Sequence, residues 1–130
     1  MVGGGAVHEA SYRHGLDRVA RMLGRQWAPA ILAALTGGGL RYSDLLSRVN
    51  RDEERAGNTR RLSSKMLSQT LPRMEQDGLV MRHEEPVTAA VWYELSPLGR
   101  SFMQALRPLV DWANAHREEL PDPVDGHRSD

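Results

Sequence analysis

The chain has 130 residues, 40% of them hydrophobic and 26% charged, with zero formal net charge, which is enough for one domain with a true core. No apolar run approaches the roughly 18 residues that span a membrane. Residues 1–7 lack the basic start and long apolar stretch of a signal peptide, so a cytoplasmic protein is expected. Cysteine is absent, which excludes disulfides, thiolate nucleophiles, thiolate metal sites and thiol switches.

The charge is balanced overall but not evenly placed. Residues 1–83 hold thirteen bases against eight acids, a net +5, and residues 84–130 hold four against nine, a net −5. A nucleic-acid surface is therefore expected in the first block. Of the 17 bases only Lys65 is lysine. A GC-rich genome produces that bias by itself, so arginine abundance is not a functional signal.

The glycines 3–5 and the tail have little to bury. A mobile N-terminus (1–11) and a mobile acidic tail (119–130) are expected to flank one domain over 12–118. Leu16, Val19, Ala20 and Leu23 recur at i, i+3, i+4 and i+7 and predict a helix stopped by Gly24. From Trp27 to Leu35 nearly every residue is apolar, and a helix apolar all round sits in the middle of a domain. Pro29 then belongs in its first turn, and Gly37, Gly38 and Gly39 end it. Tyr42, Leu45, Leu46 and Val49 predict a third helix, with Ser43 as its N-cap. Residues 50–61 are polar, charged and contain Gly57, and read as a loop.

The fourth helix has the clearest entrance. Ser63 is placed to cap it, with Leu62 at N′ and Leu67 at N4 spaced for a hydrophobic staple. Leu67, Leu71 and Met74 form its inner face; Lys65, Ser68, Gln69, Pro72, Arg73 and Gln76 fall opposite. Asp77 and Gly78 end it. Residues 79–83 and 91–95 read as two strands around an 84–90 connection. Ser96 followed by Pro97 opens a last helix to about His116. Leu98, Phe102, Leu106, Leu109, Val110 and Ala113 give it a broad apolar stripe, widened by Met103 and Trp112.

Two successive short helices followed by a β-hairpin describe a winged helix-turn-helix: mostly α, with a small β-hairpin wing and extra helices at both ends. Such a unit puts the second helix of the pair in the major groove. That position needs small polar and basic side chains, because acids meet phosphate and bulky apolar groups block approach. The outer face offers Ser64, Lys65, Ser68, Gln69 and Arg73, with no acid before Glu75. Gln pairs with adenine, Arg and Lys reach guanine, and Ser serves bases or phosphates. The bland alternative is an ordinary solvated helix face.

Four stretches carry a family resemblance: Arg41-Tyr42-Ser43-Asp44-Leu45; Leu62-Ser63-Ser64-Lys65-Met66-Leu67-Ser68-Gln69-Thr70-Leu71; Met74-Glu75-Gln76-Asp77-Gly78-Leu79-Val80; and Tyr93-Glu94-Leu95-Ser96-Pro97-Leu98-Gly99-Arg100-Ser101. In that order they resemble the HxlR-type winged helix-turn-helix regulators of bacteria, themselves distantly MarR-like. Trp27 and the Trp112/His116 end of the last helix also resemble that family, over roughly 16–116 in all. The resemblance implies a small homodimeric transcription factor whose first and last helices pair across a two-fold axis. It places the recognition helix at residues 63–76, with Ser63, Ser64, Lys65, Ser68, Gln69 and Arg73 toward DNA. Arg41, Tyr42 and Ser43 would meet the phosphate backbone, where a helix N-terminus holds phosphates well. For Tyr42, core packing is an equal alternative.

The chain departs from that pattern at four places. Redox-sensing members carry a cysteine just before the first helix, and Ser11-Tyr12-Arg13-His14-Gly15 has none. The 50–61 connection is long; Arg60 and Arg61 either anchor phosphates there or lie in a mobile loop without contacts. Pro72 lies inside the recognition helix, removes the N–H that would bond the Ser68 carbonyl, and is expected to kink it. The wing carries Ala89 and Ala90 at its tip and Glu84 and Glu85 at its base, leaving Thr88 as its polar contact.

Other chemistry finds little support. The five histidines (His8, His14, His83, His116, His127) show no metal-ligand spacing, and no metal or cofactor is expected. Gly37-Gly38-Gly39 lacks the Lys and Ser/Thr of a phosphate loop. No nucleophile stands beside a base, so the chain does not read as an enzyme. A different class, a winged-helix protein-interaction module, stays open because the acidic C-terminal block suits a basic partner. A homodimer is expected from apolar area: Leu16, Val19 and Leu23 of the first helix with Phe102, Leu106, Leu109, Val110, Trp112 and Ala113 of the last. The alternative is that these two helices simply cover each other. Trp27, Trp112, Met22, Met103 and Tyr12 either line a cavity for an unidentified small-molecule effector or are plain core.

Overall fold

The computed structural model describes the backbone of residues 2–121 and the side chains of 8–121. The tail over 122–130 and the side chains of the glycine-rich start lie outside the described residues. The order is α1 (Val2–Gly24), α2 (Ala28–Leu35), β1 (Leu40–Arg41), α3 (Tyr42–Arg55), α4 (Ser64–Gln76), β2 (Val80–Glu84), β3 (Val91–Leu95) and α5 (Pro97–Ala115). The strands form one antiparallel sheet in the order β1-β3-β2. This is a winged helix-turn-helix, with α3 and α4 as the helix pair and β2–β3 as the wing. Among the described residues no helix is long and apolar enough to cross a membrane.

The core lies where α2 meets the helix pair and the sheet. Ile31, Leu32, Leu35, Leu45, Val49, Leu67, Leu71, Met74 and Leu79 are all essentially solvent-free. That burial follows from α2 being apolar on every side, as its sequence requires. Pro29 occupies the first turn of α2. Trp27, which the apolar run places in this helix, stands just before it with φ of 72°. A left-handed tryptophan is strained. Its burial at 4% exposure, with the Arg60 guanidinium 4.1 Å over its ring, supplies the compensating contacts.

Three boundaries differ from the sequence reading. α1 starts at Val2, upstream of its apolar repeat. α3 begins at Tyr42 with Arg41 rather than Ser43 as N-cap, and it continues to Arg55 through residues read as loop. The cause is Glu53, which takes the next inner position after Leu45 and Val49 and is 8% exposed. A buried carboxylate needs partners, and Glu53 receives hydrogen bonds from Asn58 Nδ2 at 3.3 Å and Arg60 Nε at 2.6 Å. β1 is the third difference: a two-residue strand is too short to show a period. It pairs Leu40 with Tyr93 and Arg41 with Trp92. A side chain at Gly39 would meet the Trp92 ring at 3.1 Å and the Tyr93 carbonyl at 3.3 Å, so glycine permits this approach.

Two of the three expected serine caps form, at Ser63 and Ser96 but not at Ser43. Ser63 Oγ accepts from Met66 N at 3.1 Å, and Leu62 and Leu67 flanking it are both in the core. Ser96 Oγ accepts from Gly99 N at 2.8 Å, with Pro97 opening α5. Any side chain at Gly99 would collide with the Leu79 carbonyl, so α5 sits tight against the start of the wing.

Candidate nucleic-acid interface

α4 presents the two faces that its spacing predicts. Leu67, Leu71 and Met74 are buried, joined by Thr70, whose hydroxyl donates to the Gln26 carbonyl at 3.5 Å. Ser64, Lys65, Ser68, Gln69, Pro72, Arg73 and Gln76 are exposed. α4 runs through Pro72 as one helix to Gln76, although a proline there leaves the Ser68 carbonyl without its helical donor. The side chains of Lys65, Gln69 and Arg73 make no hydrogen bond or ion pair within the described residues, so all three are open to a partner.

Tyr42 does more than pack. It is half-buried against the core, and its hydroxyl lies 2.7 Å from the Ser64 main-chain oxygen, 2.9 Å from Ser64 Oγ and 2.7 Å from Ser68 Oγ. The first turn of α3 is thereby tied to the first two turns of α4. Arg41, at the end of β1, and Ser43, in the first turn of α3, are exposed beside it.

The 56–63 connection is held, not loose. Asn50 clamps Leu62 by both groups of its amide: Nδ2 donates to the Leu62 carbonyl at 2.9 Å and Oδ1 accepts from Leu62 N at 2.6 Å. The Arg60 side chain pairs with Glu53 and lies over the Trp27 ring. Arg61 is exposed and curls back on the carbonyls of Asn58 and Arg60, at 2.9 and 2.7 Å. On the wing, Thr88 is likewise engaged locally: its hydroxyl donates to Glu85 Oε2 at 2.6 Å and accepts from Ala90 N at 3.3 Å. The wing does carry an exposed cation that sequence reasoning passed over, Arg82 of β2, 3.8 Å from Glu84.

A second unpredicted contact braces α4 from its other end. Arg25, between α1 and α2, grips Asp77 at the α4 C-terminus through Nε–Oδ2 at 2.7 Å and Nη2–Oδ1 at 3.0 Å. That hydrogen-bonded guanidinium holds the Asp77 carboxyl below its ordinary value against the opposing effect of burial, with Arg21 adding to the pull.

The apolar stripe of α5 and the inner stripe of α1 are only partly covered. Val19, Leu23, Phe102, Leu106 and Ala113 are half-buried. Leu16, Leu109, Val110 and Trp112 are each 50–55% exposed. Between the two helices runs an open groove of about 440 Å³, lined by Tyr12, Leu16, Val19, Phe102, Leu106 and Leu109 among others. The five residues considered for a single effector cavity do not converge. Trp27 is core, Tyr12 lines the α1–α5 groove, Trp112 stacks on His116 at 4.9 Å, and Met22 and Met103 pack on the core.

Comparison with known proteins agrees with this geometry. A family model described as HxlR-like helix-turn-helix matches residues 22–121. The uncharacterized HTH-type transcriptional regulator YtfH of Escherichia coli (strain K12) is 34% identical over 96 residues, covering 73% of this chain and 68% of that protein. The solved structure of the HTH-type transcriptional regulator ytcD superposes with a TM-score of 0.62 at 32% identity, over 79% of this chain and 96% of that one. A MarR-family regulator from Enterococcus faecalis V583 shares the fold, with a TM-score of 0.69 at 21% identity over 82% and 89% of the two chains. With its helix pair, its wing and its open basic helix face, the chain belongs to the HxlR-like helix-turn-helix family of DNA-binding transcriptional regulators.

Proposed function

We propose that this protein is a cytoplasmic, sequence-specific regulator of transcription that binds a pseudo-palindromic operator as a homodimer and inserts α4 into the major groove. The observation that carries the reading is the outer face of α4, where Lys65, Gln69 and Arg73 stand exposed and unpaired with no acid before Glu75. Lys65 and Arg73 suit guanine and Gln69 suits adenine. Arg41 and Ser43, at the free N–H groups opening α3, suit phosphate. Arg61 at the entrance to α4 adds positive charge near the backbone. We assign Arg60 and Thr88 to holding their own loops, and Ser63 to the helix cap.

The uncovered apolar surface on α1 and α5 supports the dimer, since exposed patches of this kind mark protein interfaces. A two-fold arrangement sets the two recognition helices about one DNA turn apart, ~34–36 Å.

Fluorescence anisotropy with DNA from upstream of the protein's own gene, against a scrambled duplex across salt, tests the reading. Preferential binding that weakens steeply with salt is expected, because phosphate contacts release counterions. Weak, equal binding to both duplexes overturns specific recognition of that DNA and favours a protein-interaction role for the fold.

A further inference from the structure

We propose that Tyr42 determines the hydrogen-bond polarity of Ser64 and Ser68, so that α4 selects adenine or cytosine at the positions these serines face. The inference rests on the DNA-binding reading above and adds a specificity rule to it. The argument is a count of protons. A phenol has one proton and can accept through two lone pairs; a serine hydroxyl also has one proton. The Ser64 main-chain oxygen, 2.7 Å from the Tyr42 oxygen, can only accept, so it takes the phenolic proton. Ser64 Oγ and Ser68 Oγ, at 2.9 and 2.7 Å from the same oxygen, can then bond to it only by donating. Both serine protons are thereby turned toward Tyr42.

What remains on the exposed side of each serine is lone pairs alone. Acceptors complement the amino groups of adenine (N6) and cytosine (N4), and they oppose guanine O6 and N7 and thymine O4. Phosphate oxygens also only accept, so neither serine suits the backbone while Tyr42 holds it. A free serine hydroxyl rotates to donate or accept and discriminates weakly. Tyr42 is thus a positioning residue: it touches no base, and it acts through the two side chains that do. A phenylalanine in its place fills the same half-buried position but frees both hydroxyls.

Selection of bound sequences from a random duplex pool tests this with three full-length proteins: wild type, Tyr42→Phe, and Ser64→Ala combined with Ser68→Ala. The wild type is expected to prefer adenine or cytosine over guanine or thymine at the serine-facing positions by about tenfold. The double serine variant loses the preference with Tyr42 intact, and so locates those positions. Tyr42→Phe is expected to reduce the preference to about twofold at those positions only. Its salt slope on a scrambled duplex should match wild type, since no charge changes, and its affinity there should not fall, whereas a merely structural loss would lower that affinity. Retention of the full preference by Tyr42→Phe, or by the double serine variant, overturns the proposal. A wild type that selects no sequence at all overturns the DNA-binding reading beneath it, a distinguishable result.

Discussion

Asp77 shows how one carboxylate couples two distant segments. Its side chain is 8% exposed and is gripped by Arg25 from 52 residues away. Charged hydrogen bonds of this kind are worth about 1.5–3 kcal/mol each way they are measured. Asp77→Asn is therefore expected to lower unfolding free energy at neutral pH by about 1.5–3 kcal/mol. The pH dependence has a definite sign. Because the folded-state value is lowered, the stabilisation is fully present above the unfolded value near pH ~4. It is lost as pH falls through the lower, folded value. Urea melts of the two proteins at pH 7, 5 and 3 check this: the gap should be equal at the first two and smaller at the third. A gap that does not narrow in acid rules out the ion pair as its cause.

Within α4, the proline matters most. The sequence predicts a kink at Pro72, and the helix is not ended there: it continues for four further residues to Gln76. Thr70, Leu71 and Met74 are buried around the proline, so tertiary packing holds the segment in place while Pro72 itself faces outward. Pro72→Arg restores the N–H that reaches the Ser68 carbonyl and adds a cation to the recognition face. It is expected to raise stability by up to ~3 kcal/mol and to tighten binding to a scrambled duplex. A thermal melt and an anisotropy titration read the two effects, and no change in either refutes the account. The extension of α3 shows the opposite failure of pattern reading. Residues 50–55 look like loop because they are charged, but Glu53 and Asn50 point to Arg60, Asn58 and Leu62, whose bonds satisfy them.

In the whole molecule, the unbalanced quantity is apolar surface. α1 and α5 flank an open groove and leave Leu16, Leu109, Val110 and Trp112 half exposed. Phe102 packs on the core, and these four remain uncovered within one chain. If a second copy covers them, Leu109→Glu should place two carboxylates in an apolar interface, an arrangement that costs several kcal/mol. The variant is expected to sediment as a monomer at micromolar concentration where the wild type is a dimer. It should also lose at least about tenfold in operator affinity, because half-sites are then bound one at a time. A variant that remains dimeric excludes this face as the interface.

The order of the helices, the caps at Ser63 and Ser96, the inner and outer faces of α4 and the pairing of β2 with β3 were legible from the chain alone, whereas the second half of α3 and its cap were not. Each legible feature depends on periods and neighbours within a few residues, and local chemistry suffices to set them. The motif order carried the family as well. The rest was decided by tertiary structure. Arg60, readable as a phosphate contact, turns to Glu53 and Trp27. Tyr42, readable as core or backbone contact, joins two serines 22 and 26 residues away. Trp27 takes a left-handed backbone that no local preference favours, and it does so in a site packed around its ring. A polar side chain has several partners of nearly equal worth, and only the three-dimensional arrangement brings one of them within hydrogen-bond distance.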